Sequence, residues 1–238
     1  MDEKKDKLAM HTNVDMSHQN RLWFKVKIFV DSLKVNGVIP TVKRIYQRIE
    51  YKRKGIDFST QNLHDLTLAG EYTTHGTALV STSKDLFQRL FDELEELAGV
   101  TINRELFIDY GSGKGAALIH ASQIGFKQVY GIEFAKELND TSLDNIKKLN
   151  LKNIYSLHQD ATTFVPPKET TVIYFFNPFD EVVMEKVIQN ILDAKKDFLE
   201  DVYIIYGRPT CGALLNERFT LLDSREHESG TSVNYYKV

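Results

Sequence analysis

A chain of 238 residues, 42% hydrophobic and 26% charged, is long enough to bury one sizeable core without disulfide or metal staples. No apolar run approaches the roughly 18 residues of a membrane span, the N-terminus lacks an apolar segment with a small-residue cleavage site, and Cys211 has no second cysteine to pair with. These features predict a water-soluble, cytoplasmic protein, and the net charge of −3 gives no global reason to expect nucleic acid as a partner.

Residues 1–20 are polar and aperiodic and are expected to form a disordered tail. From Arg21, Leu22, Trp23, Val26, Phe29, Val30 and Leu33 recur at helical spacing up to Asn36-Gly37. Pro40 and Thr41 open a second amphipathic helix, with Val42, Ile45, Tyr46 and Ile49 on one face and Gly55 as its stop. Residues 21–80 therefore read as a helical N-terminal extension, and residues 81–238 as the main domain. Within the latter, the pattern Thr82-x-x-Asp85 predicts a helix start, and the apolar stripe runs through Leu97 to Gly99. Strands are then expected at Leu106–Asp109, Gln128–Glu133, Ile154–His158, Val172–Asn177 and Val202–Gly207, alternating with helices at Ala116–Gln123, Lys136–Leu149 and Glu181–Ala194. The chain closes with Phe219–Glu226 and Thr231–Val238, joined by a turn at Ser229-Gly230. The fold class is α/β: a doubly wound, mostly parallel sheet with a C-terminal antiparallel hairpin.

The stretch FIDYGSGKGAA, from Phe107 to Ala117, is a strand that ends in an acid, turns through glycines and enters a helix. Glycines serve where a Cβ would block both a tight turn and the approach of a ligand to the backbone, and the helix start supplies N–H groups without intrahelical acceptors. Gly111-x-Gly113-x-x-Ala116 also satisfies a relaxed dinucleotide fingerprint, so the glycines alone do not choose a ligand. Asp109 does: a carboxylate there repels a pyrophosphate, whereas S-adenosylmethionine brings an ammonium and a sulfonium and no phosphate. Glu133, at the end of the second strand, suits a ribose diol, and Asp160 with the Ala161 N–H suits an adenine. The fourth strand ends in YFFNPFD, which puts Asn177 and Pro178 at the carboxyl edge beside the glycine turn.

From Leu106 to Val238 this order resembles the class I, Rossmann-like S-adenosylmethionine-dependent methyltransferases: D-x-G-x-G-x-G as DYGSGKG, the strand-two acid in YGIE and the D-A pair in HQDA. The resemblance implies that Asp109, Gly111, Ser112 and Gly113 line the methionine moiety, that Glu133 with the adjoining Phe134 holds the ribose, and that Asp160 and Ala161 read the adenine. It also implies that residues 81–238 are the catalytic domain. The Asn177-Pro178-Phe179 edge is similar to the N-P-P-aromatic signature of methylases acting on exocyclic or amide nitrogens, with one proline missing. Together with GSGKG and YGIE it also resembles the non-SET protein-lysine methyltransferases. The expected acceptor is a nitrogen on a protein or a small molecule, with Asn177 and Pro178 as the catalytic candidates, Asn177 also counted at the cofactor, and no metal.

Competing readings attach to several of these residues. Asp109 and Asp160 stand where helix caps and turns also recruit acids. Lys114 is not a P-loop lysine, because Ile108 stands where the first glycine belongs and Gly115 where Ser or Thr belongs. The histidines at 11, 18, 64, 75, 120, 158 and 227 show no metal-ligand spacing. Tyr72 and His75 either close over the methionine end of the cofactor or pack the linker. Lys43, Arg44, Arg48, Lys52, Arg53 and Lys54 make a local basic patch that reads as a solvated helix face or as a contact for an acidic partner or RNA. Two other function classes compete: a nicotinamide-dependent oxidoreductase, which Asp109 opposes, and a noncatalytic adenosyl-binding module.

Overall fold

The computed structural model describes residues 38–59, 82–227 and 230–238. The chain divides into two compact units, residues 1–53 and 54–238. The expectations for residues 1–20, for the helix from Arg21, and for Tyr72 and His75 lie outside the described residues.

In the first unit the described element is helix α1, Val38–Arg53. It starts ahead of Pro40, which therefore falls in the first turn, where the missing N–H has no intrahelical acceptor to lose. Val42, Tyr46 and Ile49, expected to pack, are exposed.

In the second unit, helix α2 spans Lys84–Ala98 and buries Phe87, Leu90, Phe91 and Leu94, one stripe at helical spacing. Its N-cap is Ser83, whose hydroxyl accepts from the Leu86 N–H, and not Thr82 as the sequence pattern suggested. Thr82 is buried and its hydroxyl bonds the Tyr174 hydroxyl at 2.7 Å, so a tertiary partner takes the side chain that the local pattern assigned to capping. Gly99, at φ 67, closes the helix with its N–H on the Glu95 and Glu96 carbonyls.

The sheet contains β1 (Leu106–Tyr110), β2 (Gln128–Glu133), β3 (Ile154–His158), β4 (Thr170–Phe176), β5 (Tyr203–Gly207), β6 (Thr220–Glu226) and β7 (Ser232–Lys237). Its order is β3-β2-β1-β4-β5-β7-β6. The first five are mutually parallel, and β7 runs antiparallel to both β5 and β6, so the terminal hairpin enters the sheet through its second strand. Helices α3 (Ala116–Gln123), α4 (Lys136–Lys148) and α5 (Glu181–Lys195) make the crossovers. A short helix α6, Gly212–Asn216, precedes the hairpin and had no periodic signature in the sequence.

Helices cover both faces, which is why β1 and β5 are buried at every position and read as continuous apolar runs. One face packs Ile108, Tyr110, Ile173 and Phe175 under Val183, Val187 and Ile191 of α5. The other packs Phe107, Val129, Val172 and Tyr174 under α2 and α3. After β3 the chain returns to the far side of β1 and forms β4 there, so β1 lies between β2 and β4. That reversal opens a crevice at the carboxyl ends of β1 and β4, where open α/β sheets bind ligands.

Candidate functional site

The turn after β1 is built by glycines at positive φ: 79 at Gly111, 53 at Gly113 and 80 at Gly115. Space requires them as much as conformation does. A Cβ on Gly111 would stand 2.5 Å from Pro178 Cβ, and one on Gly115 would stand 2.3 Å from Ser142 Oγ. The first contact joins the turn to the residue two past the end of β4, so the glycine turn and the Asn177-Pro178 edge share one wall of the crevice. Ile132 on β2 ties the turn down, its carbonyl accepting the N–H of Gly111 at 2.8 Å and of Ser112 at 3.2 Å. The Ser112 side chain lies over Gly131 of β2, and its buried hydroxyl has no hydrogen-bond partner.

Two carboxylates lie buried beneath this turn. Asp109, on β1, is 3% exposed, and burial followed by the charge of Glu133 pushes its carboxyl well above the usual range. Glu133, at the end of β2, is also 3% exposed; burial pushes it up to about 7, although backbone hydrogen bonds pull the other way. The sequence assigned Glu133 to a ribose and gave it no backbone partner. In the structure both its oxygens accept backbone N–H groups, Oε2 from Gly113 at 2.7 Å and Oε1 from Ala135 at 2.9 Å. Glu133 therefore fixes the glycine turn against the start of α4, and each oxygen keeps lone-pair capacity for another donor. Among the described residues no basic side chain is paired with either acid. Lys114, buried inside the turn, instead donates to Asp57 Oδ2 at 2.7 Å and to Ser59 Oγ at 3.1 Å.

Asp57 was not singled out by the sequence. Burial would raise its carboxyl, but hydrogen bonds from Lys114 and Ser59 outweigh that and hold it at about 2. Asn145 of α4 completes the strap, its amide donating to the carbonyls of Asp57 and Lys114 and accepting the Asp57 N–H. Residues 55–59, which the sequence grouped with the extension, are thus bonded to the core at the cofactor-type turn, with Lys148 donating to the Gly55 carbonyl as well.

Phe134 is half-buried, and its carbonyl oxygen lies 3.2 Å from His158 Nε2. Asp160 acts as an N-cap, Oδ1 accepting from Thr162 N and Thr162 Oγ1 at 2.8 Å each. This serves the 3-10 turn Ala161–Thr163 and leaves Oδ2 for another donor. Asn177 sits past the end of β4 at φ 48, and its Oδ1 accepts from Thr210 Oγ1 at 2.6 Å. The oxygen expected to orient an acceptor is therefore itself oriented by Thr210. Pro178 is buried against Gly111. Among the described residues no group of three His, Cys, Asp or Glu side chains could hold a metal ion, and no helix is long and apolar enough to cross a membrane.

The strand order, the glycine turn after β1 and the acids at the ends of β1 and β2 define the fold of the class I S-adenosylmethionine-dependent methyltransferases. Residues 103–179, which carry this turn and both acids, match the family described as "Putative methyltransferase". Three solved structures illustrate the likeness in fold. The Escherichia coli "Putative methyltransferase yhhF" is 16% identical, with a TM-score of 0.51, over 68% of this chain and 91% of that one. An RNA methyltransferase from Salinibacter ruber, bound to S-adenosyl-L-homocysteine, is 16% identical with a TM-score of 0.51, over 67% of this chain and 94% of that one. The T. thermophilus 16S rRNA methyltransferase RsmC, bound to AdoMet and guanosine, is 18% identical with a TM-score of 0.50, over 67% of this chain and 43% of that one. No curated protein matches the chain by sequence.

Proposed function

We propose that the protein is an S-adenosylmethionine-dependent methyltransferase acting on a nitrogen of a protein or small-molecule acceptor. The observation that carries this reading is the pair of buried acids, Asp109 and Glu133, set under a glycine turn with no basic side chain of the described residues paired to them. Two buried carboxylates that feel each other's charge resist joint ionisation, so a ligand that brings positive charge is favoured there and a pyrophosphate is not. Asp109, Gly111, Ser112 and Gly113 would hold the methionine end, Glu133 and Phe134 the ribose, and Asp160 and Ala161 the adenine. S-adenosylmethionine supplies a methyl group on a sulfonium, already activated for in-line displacement, so positioning and desolvation provide most of the catalysis. Asn177, whose Oδ1 is held by Thr210, would position the acceptor nitrogen, and no formal base is needed. In this reading residues 81–238 are the catalytic domain and residues 21–80 an accessory extension.

Calorimetry with S-adenosylhomocysteine and with NAD separates the methyltransferase from the oxidoreductase: only the first should bind. Tritiated-methyl transfer into protein, small-molecule and RNA fractions of a lysate then reads the acceptor class, RNA being included because two of the proteins similar in fold are RNA methyltransferases. Asn177→Gly suits the positive φ and should cost about a hundredfold in transfer and far less in S-adenosylhomocysteine affinity, where Asn177 is one of several contacts. Tight NAD binding, or equal transfer by wild type and the variant, would contradict the assignment.

A further inference from the structure

β4 and β5 end in register, Phe176 opposite Gly207, so Asn177 and Arg208 are the residues that leave the sheet side by side. Both have left-handed backbones, φ 48 and φ 50. Asparagine visits that region readily; arginine gains nothing from it and must be held there. The hold is visible: the Arg208 N–H donates to the Ser232 carbonyl at 2.7 Å, and the Thr210 N–H donates to the Arg208 carbonyl at 2.8 Å. Strain maintained in this way concentrates at functional sites.

The side chain is placed as carefully as the backbone. Phe176 packs across Gly207, where a Cβ would come within 2.5 Å of its ring, and the Arg208 guanidinium lies 5.5 Å from the centroid of that ring. Arg208 is exposed, and among the described residues no carboxylate pairs with it. A guanidinium laid on a ring has one face covered and its N–H fork directed outward, the arrangement that grips a carboxylate or a phosphate with two parallel hydrogen bonds. β5 is two strands from β1, so at roughly 4.8 Å per strand the Arg208 backbone leaves the sheet about 10 Å from the strand that carries the glycine turn, with Asn177 of the intervening β4 end between them.

We infer that Arg208, presented on Phe176, is an anion-binding subsite that recognises a phosphate or carboxylate group of the methyl acceptor. The inference deepens the methyltransferase reading and rests on it for the word acceptor. The anion site itself can be measured independently.

The experiment follows the arginine Nε–Hε resonances of the full chain by NMR, with and without saturating S-adenosylhomocysteine, during titration with inorganic phosphate or acetate at constant ionic strength. Arg218, exposed and also without a carboxylate partner among the described residues, is the internal reference. Arg208 should saturate with at least tenfold higher affinity than Arg218. Preference for phosphate assigns a phosphate-bearing acceptor, and preference for acetate a carboxylate-bearing one. Phe176→Leu should bring Arg208 down to the affinity of Arg218. Arg208→Gly, which relieves the positive φ, should melt no lower than wild type. The proposal is overturned if Arg208 and Arg218 titrate alike with both anions, if Phe176→Leu changes nothing, or if Arg208→Gly lowers the melting temperature by about 3 °C or more, which would mark a structural role. Failure of S-adenosylhomocysteine to bind would instead overturn the cofactor reading, with the anion titration still read in the same sample.

Discussion

Glu133→Gln isolates the electrostatic cost of a carboxylate buried under the glycine turn. Burial raises the Glu133 carboxyl from 4.5 to about 7, so ionising it is harder in the folded protein than in the unfolded chain. The stability this group contributes is intact below about pH 4.5 and is lost as the pH rises through about 7. At about 1.4 kcal/mol per tenfold, the full loss is about 3 kcal/mol, of which about 2.5 kcal/mol falls between pH 5 and pH 8. Glutamine keeps one carbonyl for either Gly113 or Ala135 and turns an NH2 toward the other N–H, a fixed cost of about 1–3 kcal/mol that does not vary with pH. The readout is therefore the slope of the difference. Denaturant unfolding of the two ligand-free proteins at several pH values should show the variant gaining about 2.5 kcal/mol on wild type from pH 5 to pH 8. Asp109 adds in the same direction, because part of its upward shift comes from the charge of Glu133. S-adenosylhomocysteine affinity should rise by up to tenfold per pH unit toward pH 7 in wild type and change far less in the variant, since ribose hydroxyls require the ionised acceptor. A flat stability difference from pH 5 to pH 8 would refute the claim that this carboxylate is held near neutrality by burial.

Three glycines at positive φ make a graded series. Gly99→Ala, with nothing within 4 Å of the new Cβ, should cost only the left-handed strain of about 1–2 kcal/mol. Gly111→Ala and Gly115→Ala add contacts of 2.5 and 2.3 Å with Pro178 and Ser142, and in denaturant titrations both should lose clearly more stability than Gly99→Ala, Gly111→Ala also losing S-adenosylhomocysteine binding. For the strap on the turn, a double-mutant cycle of Asp57→Ala and Lys114→Met should give a coupling of about 1 kcal/mol or more, with Asp57→Ala worse than the double variant because it leaves a buried ammonium behind. Additivity within about 0.3 kcal/mol would show that the pair does not hold residues 55–59 on the core.

The parallel part of the sheet was legible because its signals are local. Apolar runs of five to seven residues bounded by Gly125, Asn150 and the glycine turn give strand and helix limits that agree with the structure to within one or two residues. The glycines around Asp109 were legible for the same reason: a tight turn packed against Pro178 and Ser142 excludes side chains at fixed offsets, and that exclusion is written in consecutive residues. Thr82 shows the limit. Its position satisfies a capping rule, yet the Tyr174 hydroxyl, 92 positions away, claims the side chain and the cap passes to Ser83.

The same limit separates the residues proposed for the cofactor from the one proposed for the acceptor. Recognition by strand-end acids needs particular residue types at particular strand ends, and Glu133 is in place before any partner is known. Arg208 carries no such mark: arginine is not a turn residue, and neither its left-handed backbone nor its ring partner Phe176, 32 positions earlier, can be inferred from GRPTCG. What places it is the parallel register of β4 and β5, which sets Asn177 and Arg208 side by side and lays the Phe176 ring across Gly207. In the proposed reading, acceptor choice depends on this pairing between strand ends. Exchanging Gly207 for alanine tests that statement directly: the new Cβ would displace the Phe176 ring, so Arg208 should lose its tenfold advantage over Arg218 for phosphate or acetate while S-adenosylhomocysteine affinity stays within about threefold of wild type. If the anion site survives that substitution, the ring does not present the guanidinium, and the acceptor edge must be explained by some other contact.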